Sequence, residues 1–126
     1  MHSIYASVSN ACTMYCGIMI EYSDFEKVDM RIGVINAVDD FPEALKPAYK
    51  LTIDFGPGIG LKHSSAQITN YGKEELISRK VVAVVNFKPK QVANFISEVL
   101  VLGALTSNGV MILGVYPDAP IGSRIS

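Results

Sequence analysis

The feature that most constrains this chain is a succession of short segments with β-strand character, separated by turn residues. The cleanest of them is Tyr49-Lys50-Leu51-Thr52-Ile53-Asp54-Phe55, where apolar and polar residues alternate as in a half-buried strand. Residues 81–87 are rich in β-branched side chains, and we expect that strand to be buried on both faces. These segments predict an all-β fold with short helices.

The order of the segments predicts a particular barrel. Strands are expected at residues 30–35, 49–55 and 60–69, a short helix at 73–77, and strands at 81–87 and 98–105. Asn108-Gly109 predicts a closing hairpin that returns through residues 110–115. A helix between the third and fourth of five strands is the arrangement of the oligonucleotide/oligosaccharide-binding (OB) barrel. Other small barrels and a sandwich remain open on this pattern.

The N-terminal 18 residues differ from the rest, because they contain no Asp, Glu, Lys or Arg. One interpretation is that the natural start is Met19; the other is a genuine extension that packs on a neighbouring subunit, with Ile4, Tyr5 and Val8 at helical spacing. We therefore divide the chain into residues 1–18, an extension, and residues 19–126, one domain. Ser23 and Glu26 have the spacing of a helix capping box.

Composition favours a globular, self-associating protein. Hydrophobic residues make up 49% of the 126 residues and charged residues 18%, and the mean hydropathy of +0.28 is high for a small monomer. Surplus apolar surface often forms a subunit interface, so we expect a homodimer. Cys12 and Cys16 do not make a disulfide framework, which favours a reducing, cytoplasmic location. No apolar run approaches the roughly 18 residues needed to cross a membrane, so no membrane insertion is expected.

Charge is unevenly distributed although the formal net charge is only −1. Residues 20–43 hold seven acids and two bases, whereas residues 46–90 hold eight bases and three acids, a local charge of +5. A basic face on a near-neutral protein attracts phosphate backbones with salt sensitivity. Lysines that protect strand edges from aggregation give the same pattern.

No group of residues predicts catalysis, a metal or a cofactor. His63 precedes Ser64 and Ser65, but neighbouring strand residues point to opposite faces, so the base and the first hydroxyl do not meet locally. The two cysteines are spaced C-x-x-x-C, which supports redox or zinc chemistry only weakly. Residues 56–60 lack the lysine and spacing of a phosphate loop and are interpreted as a turn.

The most informative segment runs from Val81 to Gln91. A buried strand leads into Asn86-Phe87-Lys88-Pro89-Lys90-Gln91, where proline fixes the backbone between two cationic side chains. The amides could contact base edges, and Phe87 and Phe95 could stack on bases or hold a peptide. A flexible phosphate-contacting surface has this composition, and so does a solubilising loop with two core phenylalanines.

Several collinear motifs resemble a known family. Residues 24–33, 41–44 and 46–56 resemble the opening of the tRNA-binding-domain family, whose members include appendages of aminoacyl-tRNA synthetases. Within that family, Lys62-His63-Ser64-Ser65-Ala66-Gln67-Ile68-Thr69, residues 81–91 and Ser97-Glu98-Val99-Leu100-Val101-Leu102-Gly103 resemble the CsaA-type export chaperones. The resemblance covers residues 19–126.

The resemblance implies a five-stranded OB barrel with N- and C-terminal extensions that form a dimer interface. It implies two kinds of partner: unfolded or preprotein segments together with the export motor, and tRNA. It places Asn86, Lys88, Lys90 and Ser97 on the tRNA-binding surface, and Lys62 lies in the matching third strand. Gln91 is added as a candidate contact for its amide group. Leu100 stands where many family members have Met, and the third strand lacks their Ser-Gly. Those departures favour the CsaA branch over efficient tRNA binding.

Three functions follow as hypotheses. The first is a CsaA-like chaperone that holds extended apolar polypeptide, supported by the apolar composition and the motifs. The second is a tRNA-binding protein without a chaperone role, supported by the basic middle of the chain. The third is an enzyme, which would require a closed pocket that holds His63 beside a carboxylate.

Overall fold

The computed structural model describes residues 17–126, which form a β-rich domain with two short helices. The helices are α1 (Tyr22–Glu26) and α2 (Lys73–Leu76). The strands are β1 (Met30–Asp40), β2 (Tyr49–Asp54), β3 (Leu61–Ala66), β4 (Lys80–Val84), β5 (Lys90–Val92), β6 (Phe95–Ser97), β7 (Leu100–Val101), β8 (Gly103–Thr106) and β9 (Gly109–Ile112). Helix α2 lies between the third and fourth strands, as the sequence predicts.

Five strands form a nearly closed antiparallel barrel. Their order is β3-β2-β1-β4-β7, and β5–β6 and β8–β9 are separate two-stranded hairpins. The outer strands β3 and β7 approach each other, because the backbone N–H of Val99 donates to the carbonyl of His63 over 3.3 Å. This is the strand order of the OB barrel and confirms the predicted fold class.

Strand β1 is longer than the sequence suggested, because it reaches Asp40 instead of ending near Ile35. A register shift between Ile35 and Ala37 bends the strand, so that its first half pairs with β4 and its second half with β2. Asp39 lies opposite Lys50 across the β1–β2 ladder, where opposite charges favour pairing. Asp39 and Asp40 are therefore part of β1.

The barrel core consists of inward-facing side chains from all five strands and α2. Leu51, Ile53, Val81 and Leu76 are fully buried. Complete burial of one such side chain contributes about 1.5–3 kcal/mol. Gly33 is required where β1 crosses the core, because a Cβ there would lie 2.6 Å from Ile53 Cγ2.

Other element boundaries also differ from the sequence prediction; the fourth strand, expected over residues 81–87, ends at Val84. The fifth strand does not run through residues 98–105; β7 ends at Val101, and β8 starts a separate hairpin at Gly103. A Cβ on Gly103 would lie 2.8 Å from the Met111 carbonyl oxygen, so glycine allows β8 and β9 to approach. The third strand, expected over residues 60–69, is confined to Leu61–Ala66.

The first helix also differs from the prediction: α1 begins at Tyr22, one position before Ser23. The backbone N–H of Glu21 donates to the Asp24 carboxylate over 2.9 Å, so Asp24 has the role that we assigned to Glu26. The helix ends at Glu26.

The C-terminal residues lie against the start of β1. The N–H of Ile125 donates to the carbonyl of Met30, and the N–H of Gly122 donates to the carbonyl of Ile32. The C-terminal residues therefore occupy the edge of β1 that β2 does not reach. Ile4, Tyr5, Val8, Cys12 and Cys16 lie outside the described residues.

Candidate RNA and polypeptide interface

A groove of about 490 Å³ opens between the β1–β2 loop and the β5–β6 hairpin. Its volume is in the range of ligand-binding clefts. Of the residues that the sequence singled out, Lys90 and Gln91 line it. The full lining is Glu43, Ala44, Leu45, Lys46, Ala48, Ser65, Gln67, Lys90, Gln91, Val92 and Ala93.

One wall of the groove is the β5–β6 hairpin, which the sequence did not predict. Val92 pairs with Phe95 across a two-residue turn. Ala93 in this turn has φ +52°, a left-handed conformation that costs a non-glycine residue about 1–2 kcal/mol. The Gln91 side chain donates from Nε2 to the Ala93 carbonyl over 3.0 Å and holds the turn.

The outer edge of β5 is unpaired. In a two-residue hairpin the pair next to the turn exchanges hydrogen bonds and the following pair does not. Gln91 and Ile96 form that following pair, so the backbone N–H and C=O of Gln91 point away from β6. Within residues 17–126 no strand lies on that side of β5. Gln91 therefore presents a free backbone donor and acceptor at the groove.

Aromatic side chains fix the hairpin to the barrel. The Phe95 ring meets Phe41 edge-on with centroids 5.5 Å apart, and it meets His63 at 6.0 Å. Lys50 Nζ lies 5.0 Å from the Phe41 centroid and 5.7 Å from that of Phe95. These cation–π contacts place the Lys50 charge beside the hairpin. Phe95 is half-buried in this cluster, whereas Phe87 is 41% exposed.

Side chains supplement backbone hydrogen bonds in closing the barrel between β3 and the end of β6. We call this closure the seam, formed by His63 and Ser65 with Ser97 and Glu98. The Ser65 N–H donates to Ser97 Oγ over 3.1 Å, and the His63 N–H donates to Glu98 Oε1 over 3.0 Å. Ser97 is 5% exposed. The structure thus places Ser97 inside the seam, where it positions its surroundings.

Glu98 also organises charges at the surface. Its Oε2 lies 4.0 Å from Lys62 Nζ, and its Oε1 lies 3.2 Å from His63 Nδ1. Lys62 is half-buried in this pair. His63 is exposed, whereas the hydroxyl of Ser64 is fully buried and has no hydrogen-bond partner among residues 17–126. The expected separation of His63 and Ser64 is confirmed, and neither lines the groove.

Asn86 is bonded on both sides of its amide. Its Oδ1 accepts from the Asp29 N–H over 3.0 Å, and its Nδ2 donates to the Lys27 carbonyl over 2.7 Å. The side chain therefore joins the end of β4 to the segment between α1 and β1. Asn86 thereby sets the direction in which Lys88 and Pro89 leave the barrel.

Five lysines form what we call the basic face: Lys46, Lys50, Lys62, Lys88 and Lys90. Lys46, Lys88 and Lys90 are exposed and make no ion pair with any residue that the structure describes. Lys46 and Lys90 both line the groove, together with the carboxylate of Glu43. An excess of unpaired cations is the electrostatic signature of phosphate binding.

Sequence reasoning missed half of this surface. Phe41, Lys46 and Lys50 lie on or after the β1–β2 loop, about 40 residues before the hairpin, and only the fold brings them together. The segments 41–44 and 46–56 were singled out for family resemblance without a role. One local feature of the sequence could have pointed to this loop. Leu45 is an apolar residue between Glu43 and Lys46 in a segment flanked by prolines, and the structure shows it exposed.

A different charged cluster supports the structure at the opposite end of β1. Arg31 Nε donates to Asp29 Oδ1 over 2.7 Å, and Arg124 Nε lies 3.9 Å from the same oxygen. The hydrogen bond from Arg31 holds the pKa of Asp29 below its usual value. The Asp40 carboxylate, 3.0 Å from Lys73 Nζ, raises the pKa of Lys73. Neither cluster lines the groove.

A second exposed surface is apolar. Leu105, Met111, Leu113 and Tyr116, on and after the β8–β9 hairpin, are between 42% and 76% exposed. Ile18, Met19 and Ile20 before α1 are at least 68% exposed. Within residues 17–126 there is no group of three side chains suited to hold a metal ion. None of the helices in that range is long and apolar enough to cross a membrane.

Comparison with known proteins assigns the family. Residues 30–124 match the family described as "Putative tRNA binding domain". The CsaA chaperone protein of Picrophilus torridus is 61% identical, with a TM-score of 0.83 over 86% of this chain and 100% of that one. The chaperone CsaA of Bacillus anthracis is 48% identical, with a TM-score of 0.81 and the same coverage.

A curated relative extends the comparison to synthetases. The methionine–tRNA ligase of Bdellovibrio bacteriovorus is 36% identical over 107 residues, which are 84% of this chain but 15% of the ligase. The chain therefore spans about one seventh of the length of that relative. The chain belongs to the tRNA-binding-domain family, and its fold is that of the CsaA chaperones.

Proposed function

We propose that this member of the tRNA-binding-domain family is a CsaA-like chaperone that holds extended polypeptide in the groove between the β1–β2 loop and the β5–β6 hairpin. The observation that carries the proposal is the free backbone edge at Gln91 beside an open groove. An extended segment bound there adds one strand to β5, and backbone hydrogen bonds make this binding independent of the segment's sequence. A cytoplasmic location, and preproteins and the export motor as partners, belong to the same proposal.

The composition of the groove supports an apolar occupant. Ala44, Ala48 and Ala93 contribute only methyl groups, which leaves room for a bulky side chain of the bound segment. Leu45 is fully exposed at the rim and offers apolar surface that has no partner among residues 17–126. Each buried methylene of a client contributes about 0.8 kcal/mol.

Suppression of aggregation tests the chaperone proposal. A reduced, unfolded client is mixed with a stoichiometric amount of the protein, and light scattering is followed. We expect slower aggregation with the wild type and loss of this effect in Ala44→Phe, whose ring fills the groove. The control is Asn36→Phe, which adds the same ring at an exposed position on β1 away from the groove. Equal aggregation with and without the wild type contradicts the proposal.

A second function, tRNA binding, is favoured by the three exposed and unpaired lysines of the basic face. Lys88 and Lys90 emerge on either side of Pro89, and Lys46 faces Lys90 across the groove. In this proposal Lys46, Lys62, Lys88 and Lys90 contact phosphates, Gln91 contacts the RNA beside Lys90, and Phe87 offers an exposed ring. Asn86 and Ser97 act by positioning these groups, because their side chains are bonded internally.

Salt dependence tests the tRNA proposal. The logarithm of the association constant falls linearly with the logarithm of salt concentration, with a slope set by the number of phosphates contacted. We expect Lys88→Ala to make the slope shallower by about one contact. Lys27→Ala, which removes an exposed lysine on the far side of Asn86, should leave it unchanged. Absence of tRNA binding at low salt contradicts the proposal.

We further propose that the apolar surface at Leu105, Met111, Leu113 and Tyr116 forms a homodimer interface. An exposed apolar patch next to an open hairpin edge is typical of subunit contacts. Sedimentation equilibrium should give the mass of a dimer for the wild type and of a monomer for Met111→Asp. A monomeric wild type contradicts this part of the proposal.

A further inference from the structure

We propose that polypeptide and RNA exclude one another on this protein, because the groove and the basic face share one wall. This inference rests on the proposed function, in which each ligand binds alone. Its content is the coupling between the ligands: RNA expels a bound client, and a bound client blocks RNA.

Lys90 is the residue that both surfaces share. It is the first residue of β5, and it precedes Gln91, the residue with the free backbone edge. Consecutive residues of a strand are about 3.3 Å apart along its axis. A segment hydrogen-bonded to Gln91 therefore lies against the stem of Lys90, and a phosphate held by Lys90 lies at the mouth of the groove.

Lys46 repeats this arrangement on the opposite wall. It lines the groove beside Leu45 and is exposed to solvent. A nucleic acid that contacts both Lys46 and Lys90 must span the opening between the two walls. The nucleic acid then occupies the opening that an extended polypeptide in the groove would also fill, so the two ligands cannot be bound together.

Electrostatics act in the same direction as this overlap. The screening length at physiological salt is about 8 Å, which exceeds the separation of neighbouring groups on one strand. A phosphate at Lys90 therefore repels acidic side chains of a client in the groove.

The exclusion makes the protein a client carrier that responds to RNA concentration. Binding free energies are reciprocal, so an RNA that lowers client affinity is itself released by client. Where RNA is abundant, clients are released; where clients are abundant, the basic face is covered. A single surface thus connects the two ligands.

Fluorescence anisotropy of a labelled peptide in the presence of unlabelled total tRNA tests the exclusion. Two short synthetic peptides are used, one of alternating Leu and Asp and one of alternating Leu and Ser. Competition for one site predicts that the apparent Kd of both peptides rises as one plus the ratio of free tRNA to its own Kd, without a plateau. A plateau, no change, or a shift of the acidic peptide alone overturns the shared site.

Variants separate failure of the exclusion from failure of the proposed function. Ala44→Phe should weaken peptide binding alone, Lys88→Ala should weaken tRNA binding alone, and Lys90→Ala should weaken both. If both ligands bind singly and tRNA leaves the peptide Kd unchanged, the exclusion is wrong and the proposed function stands. If one ligand fails to bind alone in single-ligand titrations, the exclusion is wrong, and so is the part of the proposed function that concerns that ligand.

Discussion

The sheet formed by β1, β2, β3 and β4 and the surface formed by the seam and the β5–β6 hairpin are stabilised in different ways. The sheet is paired along continuous backbone ladders, and its inner side chains are fully buried. The seam and hairpin have only short backbone ladders, and single side chains add to them: Ser97, Glu98, Gln91 and Phe95. Unpaired backbone groups and unpaired lysines occur beside the second region, so the candidate site lies where the ladder ends.

The comparison predicts the largest stability loss from the sheet. Leu51→Ala removes a fully buried side chain and leaves a cavity in the barrel, which typically costs 2–5 kcal/mol, with about 3 expected here. Urea unfolding followed by circular dichroism measures the change. Binding of tRNA below the unfolding transition should be unaltered. A loss under about 1 kcal/mol would show that the sheet repacks as readily as the hairpin.

A smaller loss is expected at the seam, where two buried serines, Ser97 on β6 and Ser64 on β3, give a matched pair. Ser97→Ala leaves the buried N–H of Ser65 without its acceptor, which costs about 1–3 kcal/mol. Ser64→Ala removes a buried hydroxyl that has no partner, so stability should be unchanged or slightly higher. Urea midpoints of the two variants give the contrast. Equal midpoints would remove the special role of the seam.

In the β5–β6 hairpin, one substitution should stabilise the protein. Ala93→Gly relieves the left-handed strain of about 1–2 kcal/mol and gives back part of it as greater freedom of the unfolded chain. We expect the free energy of unfolding to rise by about 0.5 kcal/mol, which thermal unfolding would show as a higher midpoint. Gly33→Ala, in the sheet, is the opposite case, because the added methyl meets Ile53 and Phe55. If Ala93→Gly destabilises, the turn is not strained.

The smallest effect concerns pH and the cluster at the start of β1. The pKa of Asp29 is lowered by the hydrogen bond from Arg31, so this carboxylate contributes stability above its unfolded pKa of about 3.9. That contribution is lost as pH falls through the lowered folded pKa. Because the pair is partly exposed, the loss should be under about 1 kcal/mol. In Asp29→Asn the free energy of unfolding, measured by urea unfolding at several acidic pH values, should fall less steeply as pH is lowered. An unchanged pH dependence would contradict this role of Asp29.

The parts of the site that could be predicted are those whose residues are adjacent in the sequence. Lys88, Pro89, Lys90 and Gln91 lie together in the sequence, so their surface could be proposed from composition alone. The pairing of Lys46 with Lys90 could not, because the loop and the hairpin meet only when β2 and β3 pair. Asn86 and Ser97 carry polar groups that suit RNA contact, and only the fold shows that both are bonded internally.

The sequence by itself determined the order of strands and helix, the alternation that fills the barrel core, and the clusters of charge. These depend on short-range periodicity, which side-chain geometry imposes wherever the chain lies. Tertiary structure alone decided where β7 ends and β8 begins, that residues 90–97 form a hairpin, and that a groove opens against the β1–β2 loop. Each of these is set by contacts between residues distant in sequence, such as Gly103 with Met111 and Phe41 with Phe95, which no local pattern records.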